Sequence, residues 1–411
     1  MIAFHYPPLR GGSGIQRTLA FTRHLPQWGW QPLVLTVNPR AHASVDPGYA
    51  TSSDIAVHRS LALDAARHMA IGGRYPSLLA QPDRWISWCL SAVPAGLALI
   101  LRHRPNLIWS SYPIATAHLI ALTLHRLTGI PWIADQRDPM IDTGYPPDPR
   151  RYRIHRWIEL QAMRHARVLV CTTPGAVRDL GQRFPQAAPD RIQLIENGYD
   201  ENSFIAAELA APGPRSPGGQ FRLLHSGVIY PSERDPGPLF AALARLLTDG
   251  AITPDNFRLV LRASGHDDHL RSLMRIHPGL EHLIELAPPL PYRDALAEMM
   301  AADGLLLLQA ANCNGQIPAK MYEYLRARRP LLALTHPDGD TAAALRRNGI
   351  DTIGRLDSAD DIAATLMGFL RLCRENKAPL ATPALIAGHS RTARTRELAA
   401  LLDRIHHKEQ P

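Results

Sequence analysis

The chain has 411 residues, of which 45% are hydrophobic and 20% charged; this excludes a disordered polymer and exceeds one ordinary core, so two domains are expected. The formal charge is +8 with only 6% aromatic residues. With no RNP, helix-turn-helix or zinc-finger pattern, nucleic acid is disfavoured, which leaves anionic lipid headgroups, a phosphate-bearing substrate or simply a basic surface.

Four scattered cysteines, Cys89, Cys171, Cys313 and Cys373, form no C-x-x-C pair and read as reduced thiols of a cytoplasmic protein. The opening MIAFHYPP has no basic stretch followed by a long apolar run, so no signal peptide is expected. The longest apolar run, 89–101, is broken by Pro94 and is shorter than the roughly 20 residues a membrane span needs.

The predicted elements alternate. PLVLTVN (32–38), NLIWSS (106–111), PWIADQ (131–136), RVLVCTT (167–173) and RIQLIENG (191–198) read as parallel strands buried on both faces, because each is a continuous apolar run. Helices are expected between them, over 16–28 and 155–165. The first strand reads short by a few residues, which leaves the true start open to lying upstream of Met1. Residues 206–220, AAELAAPGPRSPGGQ, carry no apolar period and read as a linker. The rhythm then restarts with FRLLHSG (221–227), FRLVLRA (257–263), LIELAPP (283–289), GLLLLQA (304–310) and PLLALTH (330–336). Helices are expected over 235–248, 292–302 and 318–327, and an amphipathic helix over 390–406. The reading is an α/β protein of two doubly wound, Rossmann-like domains: residues 1–205, a linker at 206–220, residues 221–385, and a C-terminal helix within 386–411. Ligands are expected at the carboxyl ends of strands, in a cleft between the domains.

Four loops carry the chemistry. The first, Gly11-Gly12-Ser13-Gly14, lets a backbone approach a ligand at a helix N-terminus, or is a tight turn. It lacks the third glycine of a nicotinamide fingerprint, and strand two ends in Asn38 rather than an acid, which argues against NAD. Arg17, one turn on, faces a phosphate or the surface. The second loop is Asp135-Gln136-Arg137-Asp138 after a buried strand. Asp138 is the candidate base for, or orienter of, an acceptor hydroxyl; Arg137 steadies a phosphate or pairs with Asp135. The third, Ser226-Gly227, offers backbone N–H donors, with Arg234 beyond it as a cation for a leaving diphosphate. The fourth is Ile317-Pro318-Ala319-Lys320-Met321-Tyr322-Glu323. Pro318 fits the first helical position. Lys320 and Glu323 share a face, the lysine suited to phosphate and the carboxylate to two ribose hydroxyls. His118 faces an acceptor or packs against a helix.

YPPLRGGSG, IPWIADQRDP, IENGYD, HSGVIYPSERDP and IPAKMYEYL with RPLLAL occur in this order over most of the chain. Together they resemble a family 4 glycosyltransferase, the last segment most specifically. The resemblance implies a GT-B fold: two Rossmann-like parallel-sheet domains facing each other across a cleft. It implies a nucleotide-diphosphate sugar, UDP- or GDP-linked, as co-substrate with no cofactor and no metal, and transfer with retention. Glu323 is then the ribose ligand and Lys320 and Arg234 the diphosphate ligands. Gly12, Ser13 and Gly14 close over the donor, with Ser226, Gly227, Ile317 and Pro318 lining it. Asp138, Arg137 and His118 fall on the acceptor side. Two family features are altered: Gly315 stands where a glutamate is usual, with Asn314 or Gln316 as stand-ins, and Ser226-Gly227 replaces Gly-Arg. The subset sharing an I-P-x-K opening resembles transferases of surface-polysaccharide or lipopolysaccharide assembly, so a glycan or lipid-linked acceptor is expected.

Three rivals are an epimerase acting on the nucleotide sugar alone, a silent sugar-nucleotide binder partnering an active transferase, and a nucleic-acid binder. Asp338-Gly339-Asp340 is expected to be a turn with a helix N-cap, and His266-Asp267-Asp268-His269 a surface loop. The segment 83–101, with Trp85 and Trp88 and basic neighbours, either rests on a membrane face or packs against the sheet.

Overall fold

The computed structural model describes residues 1–9, 13–46, 55–210 and 219–408. It divides into two compact units: Met1–Asn197 with Arg391–Pro411, and Gly198–Ser390.

The first unit holds β1 (Leu33–Val37), β2 (Ala56–Ser60), β3 (Ile108–Ser111), β4 (Trp132–Gln136), β5 (Val168–Cys171) and β6 (Ile192–Leu194). Ile2 bridges to both Leu35 and Ser110 in parallel, so the all-parallel order runs β2, β1, Ile2, β3, β4, β5, β6. The Met1 amine donates to Leu33 O at 2.6 Å, and burial lowers its pKa to about 5. Every residue of β3, β4 and β5 is buried, which is why they read as unbroken apolar runs. β2, at the edge, alternates exposed and half-buried positions and has no such signature.

The second unit holds β7 (Phe221–Ser226), β8 (Phe257–Arg262), β9 (Ile284–Ala287), β10 (Gly304–Leu308), β11 (Leu331–Leu334) and the two-residue β12 (Ile353–Gly354). Its parallel order is β12, β11, β10, β7, β8, β9. Read from β7, this is the doubly wound order that reverses between the first and fourth strands. β7 and β10 are therefore neighbours, in register at Leu223–Gly304 and Leu224–Leu305, and their carboxyl ends flank the reversal point where such sheets place ligands.

Two boundaries differ from the sequence reading. The division falls after Asn197, and residues 201–210 form a helix of the second unit. That helix buries Phe204 and Ala207 among Leu296, Met299 and Tyr322, and Arg326 bonds Glu201 and Glu208 at 2.6 and 2.9 Å. Its two buried side chains are too few to show as a period among alanines. Of the expected linker, 211–218 lie outside the described residues. The last helix, Arg391–Lys408, returns to the first unit. There Leu398, Leu401, Leu402 and Ile405 pack with Phe21, Trp109 and Ile195, burial on the order of 2 kcal/mol per large apolar side chain. It is a fixed part of that core rather than an appendage.

The helix Trp88–His103 buries Trp88, Ala92 and Gly96. A Cβ on Gly96 would lie 2.6 Å from Leu124 Cδ1 on the helix Ala115–Thr128, so the missing side chain lets the two helices approach. The opposite face exposes Leu90 and Leu101. No helix among the described residues is long and apolar enough to cross a membrane.

Candidate functional site

In the second unit, β7 ends at Ser226 and the chain turns through Gly227 at φ 111°, a conformation natural to glycine. A Cβ there would stand 3.1 Å from Lys320 Nζ, so the glycine also clears the path of the lysine. Ser226 N donates to Tyr324 Oη at 2.8 Å. The helix Lys320–Ala327 starts two residues after Pro318. Pro318 therefore precedes the helix instead of opening it, and both Ile317 and Pro318 are buried in the approach. The burial of Met321, Tyr322, Tyr324 and Leu325 fixes which way the first turn faces.

Lys320 Nζ lies 2.9 Å from His225 Nε2. Burial, then the charge of Arg234, hold its pKa well below the lysine range, and Glu323 opposes them. Arg234 donates from Nη1 to Val228 O at 2.9 Å and lies over the Tyr230 ring, 5.4 Å from its centroid. Glu323 Oε1 accepts from Tyr292 Oη at 2.7 Å. Two cations and a held carboxylate thus converge at the carboxyl end of β7, beside β10; the turn does not offer the backbone donors expected of it, because Ser226 N is taken by Tyr324 Oη and Gly227 N by Arg262 O, each at 2.8 Å. Polyanions are stabilised by such an arrangement of fixed donors and charges. Gly315 lies exposed in a turn, and Asn314 leans on the loop before the next helix, where its O accepts from Asp340 N at 2.8 Å. Gly339 caps that helix and Asp340 begins it. Among the described residues, no cluster of three or more His, Cys, Asp or Glu could hold a metal ion.

In the first unit, Gly12 lies outside the described residues. Of Ser13 only the backbone is described, as the start of the helix Ser13–His24. A Cβ on Gly14 would fall 2.9 Å from His5 Nδ1 and 3.1 Å from Arg137 Nη1, so any side chain here would displace His5 or Arg137. Arg137 donates to Gly14 O at 2.6 Å, to Tyr112 O at 2.5 Å, and from Nη2 to His5 Nδ1 at 3.3 Å. Burial first, then Arg137 and His42, lower the pKa of His5 to about 3, so it is a neutral acceptor. Arg137 is therefore a brace between the glycine loop and the end of β3, not the partner of Asp135.

That partner is Arg17, and the finding corrects both expectations for it. Arg17 is buried, donates to Asp135 Oδ1 at 2.9 Å and to Glu196 O at 3.0 Å, and leaves neither a surface cation nor a phosphate hook. Asp135 is fully buried and accepts also from Ser111 Oγ at 3.1 Å. Asp138, by contrast, is exposed at the end of β4.

His118 is fully buried, with Ser110 Oγ 2.8 Å from Nδ1 and Trp132 5.9 Å away. Burial lowers its pKa to about 4. It is a core histidine rather than an acceptor-facing one. Sequence reasoning also missed His225, Tyr292 and Tyr324, whose roles depend on partners 95, 31 and 98 residues away. A cavity of about 700 Å³ opens at the amino ends of β1 and β3, beside Trp28, Trp30 and Leu402. It lies at the sheet edge opposite the strand-end loops and holds none of these groups.

Residues 12–198 match the family model of the glycosyl transferase 4-like domain. They are a glycosyl transferase 4-like domain. An alpha-maltose-1-phosphate synthase of Mycolicibacterium smegmatis is 30% identical over 94 residues, a stretch that takes in 23% of this chain and only 21% of that protein. The sucrose-phosphate synthase of Thermosynechococcus elongatus is similar in structure with a TM-score of 0.66 at 13% identity, covering 99% of this chain and 97% of that one. Anabaena Alr3699/HepE in complex with UDP-glucose gives 0.62 at 14%, covering 98% and 99%. A putative UDP-N-acetylglucosamine 2-epimerase of Listeria monocytogenes gives 0.56 at 13%, covering 96% and 94%. The glycosyl transferase 4-like domain thus sits in a chain of GT-B fold. That fold also carries epimerases, so the fold alone does not assign the reaction.

Proposed function

We propose that the protein is a retaining, metal-independent glycosyltransferase that moves a sugar from a UDP- or GDP-linked donor to a glycan or lipid-linked acceptor. The observation that carries this reading is the convergence of Lys320, Arg234, the Ser226–Gly227 turn and the Tyr292-held Glu323 beside the β7–β10 reversal point. The two cations neutralise the leaving diphosphate, the work a divalent ion performs elsewhere. Glu323, with one oxygen bonded by Tyr292, takes the ribose hydroxyls. The glycosyl transferase 4-like domain supports transfer over epimerisation, and the structurally similar protein solved with UDP-glucose supports a nucleotide-sugar donor.

The acceptor-side candidates belong to the first unit. Asp138 is an exposed carboxylate there, open to a hydroxyl arriving from solvent. In a retaining reaction the leaving phosphate can itself take the acceptor proton, so Asp138 orients as much as it titrates. An acceptor on a lipid carrier is supported by residues 61–104, which expose Leu61, Ile71, Leu78, Leu90 and Leu101 together with Arg67, Arg74, Arg84, Arg102 and Arg104. Apolar side chains among cations suit an anionic bilayer surface at the inner face of the membrane. Binding to anionic vesicles but not to neutral ones checks this surface, and equal sedimentation with both refutes it.

The test of the donor site is a thermal-shift panel of UDP, GDP, ADP and CDP, each with EDTA and with magnesium. A ligand at 100 times its dissociation constant adds roughly 2.7 kcal/mol of stability. One nucleotide is expected to raise the melting temperature equally in both buffers, and Glu323→Ala to abolish the rise. A shift seen only with magnesium refutes metal independence. The same shift in wild type and Glu323→Ala refutes the ribose assignment.

A further inference from the structure

We infer that His225 is a positioning residue for the donor site, a fixed neutral acceptor that aims the Lys320 ammonium at the diphosphate. The inference rests on the donor-site reading and adds a residue to it.

His225 is the penultimate residue of β7 and is fully buried. Its Nδ1 lies 2.9 Å from Leu306 O on β10. A carbonyl oxygen only accepts, so Nδ1 carries the proton and donates. The ring cannot gain a second proton cheaply: burial holds its pKa well below the histidine range, and Lys320 and Arg234 push the same way. Nε2 therefore presents a lone pair, and Lys320 Nζ donates to it across 2.9 Å. An ammonium has three donors. One is spent on His225, which leaves two in a fixed direction beside the bare Gly227 backbone, where a Cβ would meet Nζ at 3.1 Å.

Without that acceptor, a lysine on a flexible stem repelled by Arg234 has no reason to keep this direction. Every charged neighbour is accounted for: Arg234 from the loop after β7 disfavours the charged lysine, and Glu323 on the same helix favours it. His225 adds direction without adding charge. The device depends on the β7–β10 pairing, since the two hydrogen bonds of one imidazole tie both strands to the helix that carries the lysine.

The experiment measures affinity by calorimetry for whichever of UDP and GDP raises the melting temperature, and for the matching nucleoside. Lys320→Ala is the control: it should weaken the diphosphate and leave the nucleoside unchanged. His225→Leu removes the acceptor and is expected to weaken the diphosphate roughly tenfold, as for one charge-assisted hydrogen bond, again with the nucleoside unchanged. The amide oxygen of His225→Gln reaches the level of Nε2 and is expected to restore most of the affinity. The shorter His225→Asn ends at the level of Nδ1 and is not. This pair decides the matter even if the leucine variant fails to fold. Equal losses for nucleotide and nucleoside, or equal affinities for the Gln and Asn variants, overturn the role of His225 while leaving the donor site intact. If Lys320→Ala keeps wild-type diphosphate affinity, the donor-site reading itself falls, and the inference with it.

Discussion

Replacing Arg17 by methionine should destabilise the first unit without touching donor affinity. The substitution keeps much of the apolar stem of a side chain that is buried and lies 4.9 Å from the Phe21 ring centroid. It removes the donors that reach both oxygens of Asp135 and the carbonyl of Glu196. Asp135 then sits fully buried with Ser111 Oγ as its remaining side-chain donor in this group. Breaking a buried pair by removing one partner costs about 3–5 kcal/mol. For a unit of roughly 200 residues each kcal/mol shifts the melting temperature by about 2–4 °C, so a drop on the order of 10 °C is expected in the transition of this unit. Replacing both partners, Arg17→Met with Asp135→Leu, should recover most of the loss, because no uncompensated charge remains buried. Calorimetric melts of the two single variants and the double variant measure the coupling directly. A single-variant cost below about 1 kcal/mol, or a fall in nucleotide affinity at unchanged stability, would refute the reasoning and return Arg17 to the phosphate role.

Tyr292→Phe removes the bond that holds Glu323 and should weaken nucleoside and nucleoside diphosphate equally, by roughly fivefold for about 1 kcal/mol; a loss confined to the diphosphate would contradict the ribose assignment. Gly96→Ala drives a methyl toward Leu124 and should cost about 1–3 kcal/mol as overpacking, partly relieved by Leu124→Val in the same chain. His118 titrates near 4 when folded, below the unfolded value of 6.5. The unfolded chain therefore binds more protons between those values, and this stabilising contribution is lost as pH falls from 6.5 toward 4. Urea melts across that range should show a shallower pH slope for His118→Gln than for wild type; parallel slopes would show that the histidine does not stay neutral in the core.

The strands were legible because parallel strands covered on both faces are continuous apolar runs, and β3, β4, β5, β10 and β11 are buried throughout. β2 was not, because half of an edge strand faces water and its sequence AVHRS resembles a loop. The domain boundary failed for a different reason. The apolar positions of the last helix announce that it packs somewhere, but nothing local says that its core is the first unit, nearly 200 residues back. The helix Glu201–Ala210 was hidden among alanines that any linker might contain.

The site shows the same division between chemistry and partnership. Lys320 and Glu323 could be picked out because a helix puts residues three apart on one face, a relation contained in nine consecutive letters. Arg17 and Arg137 could not be assigned, because an arginine near a strand end is chemically apt for a phosphate, a buried carboxylate or a backbone carbonyl alike. Which one it meets is decided by a contact 118 residues away for Arg17 and 123 for Arg137. HSG and IPAK looked like two motifs in chain order. The doubly wound order makes β7 and β10 adjacent, so they become two sides of one hydrogen-bonded unit in which His225 serves Lys320 and Gly227 makes room for it. A motif search weighs each segment by its own specificity. The sheet instead weighs them as a pair, and the weaker segment supplies the acceptor that orients the stronger one.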